Sequence, residues 1–186
     1  MALWYASRAT GLAALLMLTT TVVLGTANSA RFATPNLPRF AVATIHRNLS
    51  LVTCAFLVVH IAGAVIDPYA GIGWVDAVLP FVSSYQPFWL GLGAVAFDLL
   101  VALVVSSLVR PRISQRVWRS LHWAAYACWP VALIHGFAIG GADSRLGWVR
   151  ILTLVCLLAV VAAVAWRATA RHPDTEARRA PWYGMR

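Results

Sequence analysis

The chain has 186 residues, 61% of them hydrophobic, with fifteen arginines, no lysine, six acids and a formal charge of +9. It is too apolar for one soluble core and has the composition of several membrane spans of about 20 residues each. The positive charge is not a nucleic-acid footprint, because most of the arginines stand between apolar runs, where they set topology.

The first apolar run covers roughly 9–28. One leading arginine, Arg8, and small residues near Ala27 and Ser29 also suit a cleaved signal peptide. That reading would leave Arg31 and Arg39 outside. With the N-terminus outside instead, the cytoplasm receives Arg31, Arg39 and Arg47, then Arg110, Arg112, Arg116 and Arg119, then Arg167, Arg171, Arg178, Arg179 and Arg186. Twelve arginines then lie inside against three outside, Arg8, Arg145 and Arg150, as the positive-inside rule requires. The first run is therefore predicted to be a retained helix.

The second run covers 41–66. After it, DPYAGIGWVDAVLPFVSSYQP at 67–87 is broken by Gly and Pro and is predicted to lie at one membrane surface as a short amphipathic turn. The third run, 88–109, carries Asp98 near its middle. An acid there must be paired or protonated. It is read as bonding a ligand imidazole, relaying a proton, or holding a Ser or Tyr of another helix. The fourth and fifth runs cover 117–138 and 147–168. The expected fold is an all-α integral membrane protein, a bundle of about five transmembrane helices over residues 1–168. A cytoplasmic polar tail at 169–186, with a solvated His172, is predicted to be disordered.

Two runs carry all the histidines of the spans: HRNLSLVTCAFLVVH holds His46 and His60, and RVWRSLHWAAYACWPVALIHG holds His122 and His135. One span separates these helices, so they run the same way. His46 and His122 then lie near the cytoplasmic side, and His60 and His135 about 20 Å away near the outer side. Fourteen positions return an ideal helix to within about 40° of its starting face, so His46 and His60 share a face. Thirteen positions leave His135 out of phase with His122, and Pro130 between them is expected to kink or rewind that helix.

Two stacked pairs of intramembrane histidines suit bis-histidine haem, each iron taking one neutral imidazole from each helix. With no Cys-x-x-Cys-His, the two expected haems are b-type. A single intramembrane His is often a packing residue, but four at matched depths argue for haem. Zinc would need its ligands at one level. Cys54, Cys128 and Cys156, scattered inside spans, are read as small hydrophobes.

HRNLSLVTCAFLVVH and WRSLHWAAYACWPVALIHG resemble the two haem helices of the ferric reductase-like transmembrane family. That family includes the membrane domains of ferric reductases and NADPH oxidases, and the haem subunit of the bacterial periplasmic methionine-sulfoxide reductase. Its pattern is His-x13-His on one helix and His-x12-His on a later one, and both spacings are matched. In layout the resemblance spans roughly 9–168. It implies that His46 and His122 ligate the iron of an inner haem, and His60 and His135 that of an outer one. The family commonly has six spans where five are counted here, and its oxidases carry an FAD and NADPH domain that this sequence lacks.

Arg39, Arg47 and Arg119, at the cytoplasmic ends of the haem helices, are candidates to bind haem propionates or are plain topology anchors. Gly63 and Gly136 suit either close porphyrin approach or helix packing. Trp123, Tyr126 and Trp129 are expected to pack around or beside the haems. The function expected is transmembrane electron transfer by a di-haem b cytochrome subunit, an oxidoreductase component that depends on a partner. Its donor would be a cytoplasmic flavoprotein or flavin reductase carrying FMN or FAD, and its acceptor would meet the outer face near 67–87 and 139–146. Abundant arginine and alanine without lysine suggest a bacterial plasma membrane. Two alternatives stay open: a quinol-linked di-haem cytochrome b, and a non-redox small transporter or assembly factor.

Overall fold

The computed structural model describes residues 2–169; Met1 and residues 170–186, with His172 and nearly all of the predicted tail, lie outside the described residues. Helices form in the order α1 (Ala2–Ser29), α2 (Arg39–Ile66), α3 (Trp74–Val78), α4 (Pro87–Leu108), α5 (Gln115–His122), α6 (Ala125–Ile139) and α7 (Gly147–Thr169). Short 3₁₀ turns occupy Arg110–Arg112 and Asp143–Arg145. Among the described residues α1, α2, α4 and α7 are each long and apolar enough to cross a bilayer.

The fourth apolar run differs from its expected single span. It is divided into α5, which carries Arg116 and Arg119, and α6, whose fifteen residues reach only about 22 Å. Between them the chain tightens: Ala124 N–H bonds the Leu121 carbonyl at 2.9 Å, and Tyr126 and Ala127 bond Trp123 and Ala124 at 3.0 Å. Each residue wound in this 3₁₀ manner turns about 120° instead of about 100°. The stretch therefore adds roughly 60–80° and takes up about half of the phase mismatch between His122 and His135. The rewinding lies in the turn before Pro130, around Tyr126, whose carbonyl stands four residues ahead of the proline and receives no N–H from it.

Helix α1 is central. It packs on α2, α6 and α7, while α4 packs on α6. Leu15 and Val22 of α1, Trp129 and Leu133 of α6, and Cys156 and Val160 of α7 form the core. Trp129, expected beside the haems, is thus a residue of this three-helix core. Cys128 is buried against α4, its thiol donating to the Ala96 carbonyl at 3.3 Å, and all three cysteines are free thiols. Facing outward, Leu51, Val52, Val58 and Val59 of α2 and Ile151, Leu154, Val155 and Leu158 of α7 are exposed, as a hydrocarbon surround requires. Helix α2 packs extensively on α1 and has no comparable contact with α4 or α6, so one of its faces is left for the histidines opposite.

Segment 67–87 closes one end of the bundle. Tyr69 and Tyr85 pack on Trp4, with ring centroids 4.9 and 6.3 Å away. The Asp67 carboxylate accepts the backbone N–H groups of Trp4 and Tyr69, both at 3.0 Å. The Trp4 N–H is one of the donors that the first turn of a helix leaves without a partner, so Asp67 caps α1 from a distance. These N–H groups, that of Tyr69 foremost, hold the Asp67 pKa below the ordinary carboxylate value. A Cβ on Gly63 would come within 3.1 Å of Ser7 Cβ, so Gly63 serves the contact of α2 with α1.

Arginine is distributed unequally between the two ends. Arg31, Arg39, Arg47, Arg110, Arg112, Arg116, Arg119 and Arg167 stand at one, while Arg8, Arg145 and Arg150 stand at the other.

Candidate functional site

The helix directions bring the histidines together two by two. At the arginine-rich end the rings of His46 and His122 have centroids 6.4 Å apart and planes at 66°. Nearer the other end the rings of His60 and His135 are 6.5 Å apart with planes at 79°. A metal ion bonded to two opposed imidazoles at about 2 Å from each holds their centres roughly 6 Å apart. Both pairs have that spacing. Among the described residues no three of His, Cys, Asp and Glu gather as a metal site. Each pair thus brings two imidazole rings, one from each facing helix, to a spacing that suits a single metal ion between them.

The rings are also aimed. His60 Nδ1–H donates to the Ser7 carbonyl at 2.7 Å, His46 Nδ1–H to the Thr21 carbonyl at 3.0 Å, and His135 Nδ1–H to the Trp89 carbonyl at 2.8 Å. A carbonyl only accepts, so Nδ1 carries the proton in each case and the Nε2 lone pair is left for a metal. The Ser7 hydroxyl strengthens the α1–α2 contact by donating to the His60 backbone carbonyl at 2.7 Å. His122 is held differently. Its ring stacks on Trp118 at 4.7 Å and 22°, and the Arg110 guanidinium lies 4.4 Å from the Trp118 ring centre.

At the level of His60 and His135 a cavity of about 460 Å³ opens between α1, α2, α4 and α6, a size within the range of cofactor sites. Leu15, Phe97, Cys128 and Gly136 are among its walls. A Cβ on Gly136 would meet nothing within 4 Å, so this glycine borders open space. Arg8, also in the wall, pairs with Asp143 at 2.6 Å, donates to the Gly140 carbonyl and lies 5.5 Å from the Trp4 ring centre.

The other sequence-predicted residues make no hydrogen bond or ring stack with the paired imidazoles among the described residues. Arg39, Arg47 and Arg119 are exposed at the arginine-rich end, their side chains without a hydrogen bond or ion pair among the described residues. Trp123 and Tyr126 serve Arg167, which donates to the Tyr126 hydroxyl and lies 5.4 Å from the Trp123 ring centre. Asp98 is exposed on α4 and reaches neither a ligand imidazole nor a Ser or Tyr of another helix among the described residues. Arg8 and Arg110 are the residues that sequence reasoning passed over.

A family model described as the ferric reductase like transmembrane component matches residues 10–133, more than half of the chain. The matched stretch contains His46, His60 and His122 and ends two residues before His135. No curated protein and no solved structure matches the chain. A helical membrane bundle with this match has a redox role in the membrane: the chain belongs to the ferric reductase-like transmembrane family.

Proposed function

We propose that this chain is a di-haem b cytochrome subunit that conducts electrons from a cytoplasmic flavin donor to an acceptor at the outer face of a bacterial plasma membrane. The observation that carries the reading is the pair of ring separations, 6.4 Å for His46–His122 and 6.5 Å for His60–His135. Haem, when bound, supplies the one-electron chemistry, and two such groups at two depths give electrons a route across the bilayer.

The chain does the rest. Helix α2 contributes an imidazole at both levels, and α5 and α6 contribute one each. The Nδ1 bonds to Ser7, Thr21 and Trp89 keep three of the Nε2 atoms available as ligands. Mostly apolar side chains line the outer-level cavity, with Arg8 and Asp143 also in its wall. By the positive-inside rule the arginine-rich end is cytoplasmic, with the N-terminus outside and the C-terminus inside. Arg39, Arg47 and Arg119, exposed there, attract the phosphates of FMN or FAD on a flavoprotein or flavin reductase, or receive haem propionates. The acceptor meets the opposite end, near 67–87 and 139–146.

A visible spectrum and a pyridine haemochrome assay on the purified protein test the reading. The expected result is about two low-spin haems b per chain, with sharp α bands on reduction. Protein that carries no haem ends it.

A further inference from the structure

Three of the four paired histidines occupy the same kind of seat. In each, Nδ1 meets the carbonyl of a residue i on the facing helix, and residue i+4 of that helix is glycine. The seats are Ser7 and Gly11 for His60, Thr21 and Gly25 for His46, and Trp89 and Gly93 for His135. A helical carbonyl i points toward the N–H of residue i+4, so a Cβ at i+4 stands beside it. Placed on Gly11, Gly25 or Gly93, that Cβ would fall 2.8, 3.0 or 2.5 Å from the ring's Cε1. Glycine leaves room for the imidazole to reach the second lone pair of a carbonyl already used by the helix. The two seats on α1 are fourteen residues apart, the spacing of His46 and His60 on α2.

His122 has no such seat. Fourteen residues on from Trp89 and Gly93, α4 presents Leu103 and Ser107. Ser107 has a Cβ, and the Leu103 carbonyl already accepts the Ser106 hydroxyl at 3.0 Å. The His122 Nδ1 is buried and has no hydrogen-bond partner among the described residues. Helix α5 ends at this residue, and stacking on Trp118 is what holds its ring.

We propose that Gly11, Gly25 and Gly93 are positioning residues that give three histidines a carbonyl acceptor, and that His122, which lacks one, is the replaceable ligand of the four. A haem held at the arginine-rich end by His46 and His122 would exchange His122 for a small neutral ligand such as carbon monoxide. This inference rests on the bis-histidine reading above. A bond from Nδ1–H fixes the tautomer and aim of the ring and makes Nε2 a stronger donor; losing such a bond weakens metal affinity about 10–100-fold. Without it a neutral imidazole is also free to carry its proton on Nε2, the form that cannot bind a metal through that atom.

The test uses the full chain in nanodiscs, with haem counted by pyridine haemochrome before dithionite reduction and addition of carbon monoxide. Two haems per chain with carbon monoxide on about half of them is the expected result. Two haems with none or all of them binding overturns the proposal and leaves the bis-histidine reading standing. A chain without haem overturns both. In His122→Ala the carbon monoxide bound per chain stays at or below the wild-type amount; a rise would place the replaceable ligand at the other level and overturn the assignment. In Gly93→Ala the His135 seat is lost and the bound share rises from about half toward all. An unchanged share in folded Gly93→Ala overturns the role given to the glycine, and the wild-type measurement decides the His122 assignment if that variant does not fold.

Discussion

Trp129 donates its indole N–H to the Thr19 hydroxyl at 2.9 Å, and that hydroxyl donates in turn to the Leu15 carbonyl at 2.8 Å. The relay ties α6 to α1 between the two histidine levels, where neither group has water as an alternative partner. Trp129→Phe keeps most of the packing and loses the interhelical bond, for an expected cost of about 0.6–1.7 kcal/mol. Trp129→Ala also empties the centre of the α1–α6–α7 core, for about 3–5 kcal/mol. Thermal unfolding in detergent should rank the wild type above Trp129→Phe and Trp129→Ala well below both. Equal losses for the two variants would show that packing contributes little here.

The ring pairs make a second prediction. His46→Ala and His122→Ala should alter one and the same component of a redox titration, while His60→Ala and His135→Ala alter the other. Each would leave one imidazole instead of two for the haem at that level, so loss of low-spin character there is expected. A shared phenotype for His46→Ala and His135→Ala would mean that α2 and the α5–α6 unit do not run the same way in the membrane.

Four of the five expected spans were legible because apolar run length is a local property, and the fourteen positions between His46 and His60 let both rings face α1. The break at Trp123–Ala127 was only half legible. Pro130 announced a distortion, but a proline disturbs the turn before it, and that turn sits directly beside His122. The arginines show the limit more plainly. Arg110 and Arg112 read alike in RPR, yet Arg110 is the one over Trp118, because the turn of Arg110–Arg112 and the direction of α5 decide it. Arg8 read as a lone charge ahead of an apolar run; its partners, Asp143 and the Gly140 carbonyl, lie more than 130 residues away in sequence. Asp98 suggested a partner within the bundle, and helix phase turned it outward instead. The glycine seats did leave a mark, since Gly11 and Gly25 repeat the spacing of His46 and His60, but only an antiparallel contact in register gives that repeat a meaning.

Asp67 predicts a pH dependence. The N–H groups of Tyr69 and Trp4 bond its charged form and hold its folded pKa below the ordinary value of about 3.9. A depressed folded pKa contributes stability that is present above the unfolded value and is lost as pH falls through the folded one. Asp67→Asn should therefore unfold at a lower temperature than the wild type at pH 7, and the gap should close as pH is lowered past about 4. Melting curves at pH 7, 5 and 3 check this. A gap of the same size at pH 3 would assign the effect of the substitution to shape and not to charge.

The last prediction concerns where electrons enter. Eight described arginines crowd one end of the bundle and three lie at the other, so the two faces present very different potentials to an anionic donor. A flavin phosphate or an acidic flavoprotein is drawn to the arginine-rich face, and its encounter rate depends on ionic strength. Between 0.1 and 1 M salt the Debye length shrinks from about 10 to about 3 Å. Reduction by a flavin reductase should slow about tenfold or more over such a range, with no change in the haem spectrum. In oriented vesicles the donor should work from the arginine-rich side alone. With a flavin reductase as the proposed donor, NADPH without that enzyme should leave the protein oxidised. Stopped-flow reduction with donor added to one side at a time makes the measurement. Fast reduction by NADPH alone, rates indifferent to salt, or entry from the arginine-poor face would each contradict a donor that docks on Arg39, Arg47, Arg119 and their neighbours.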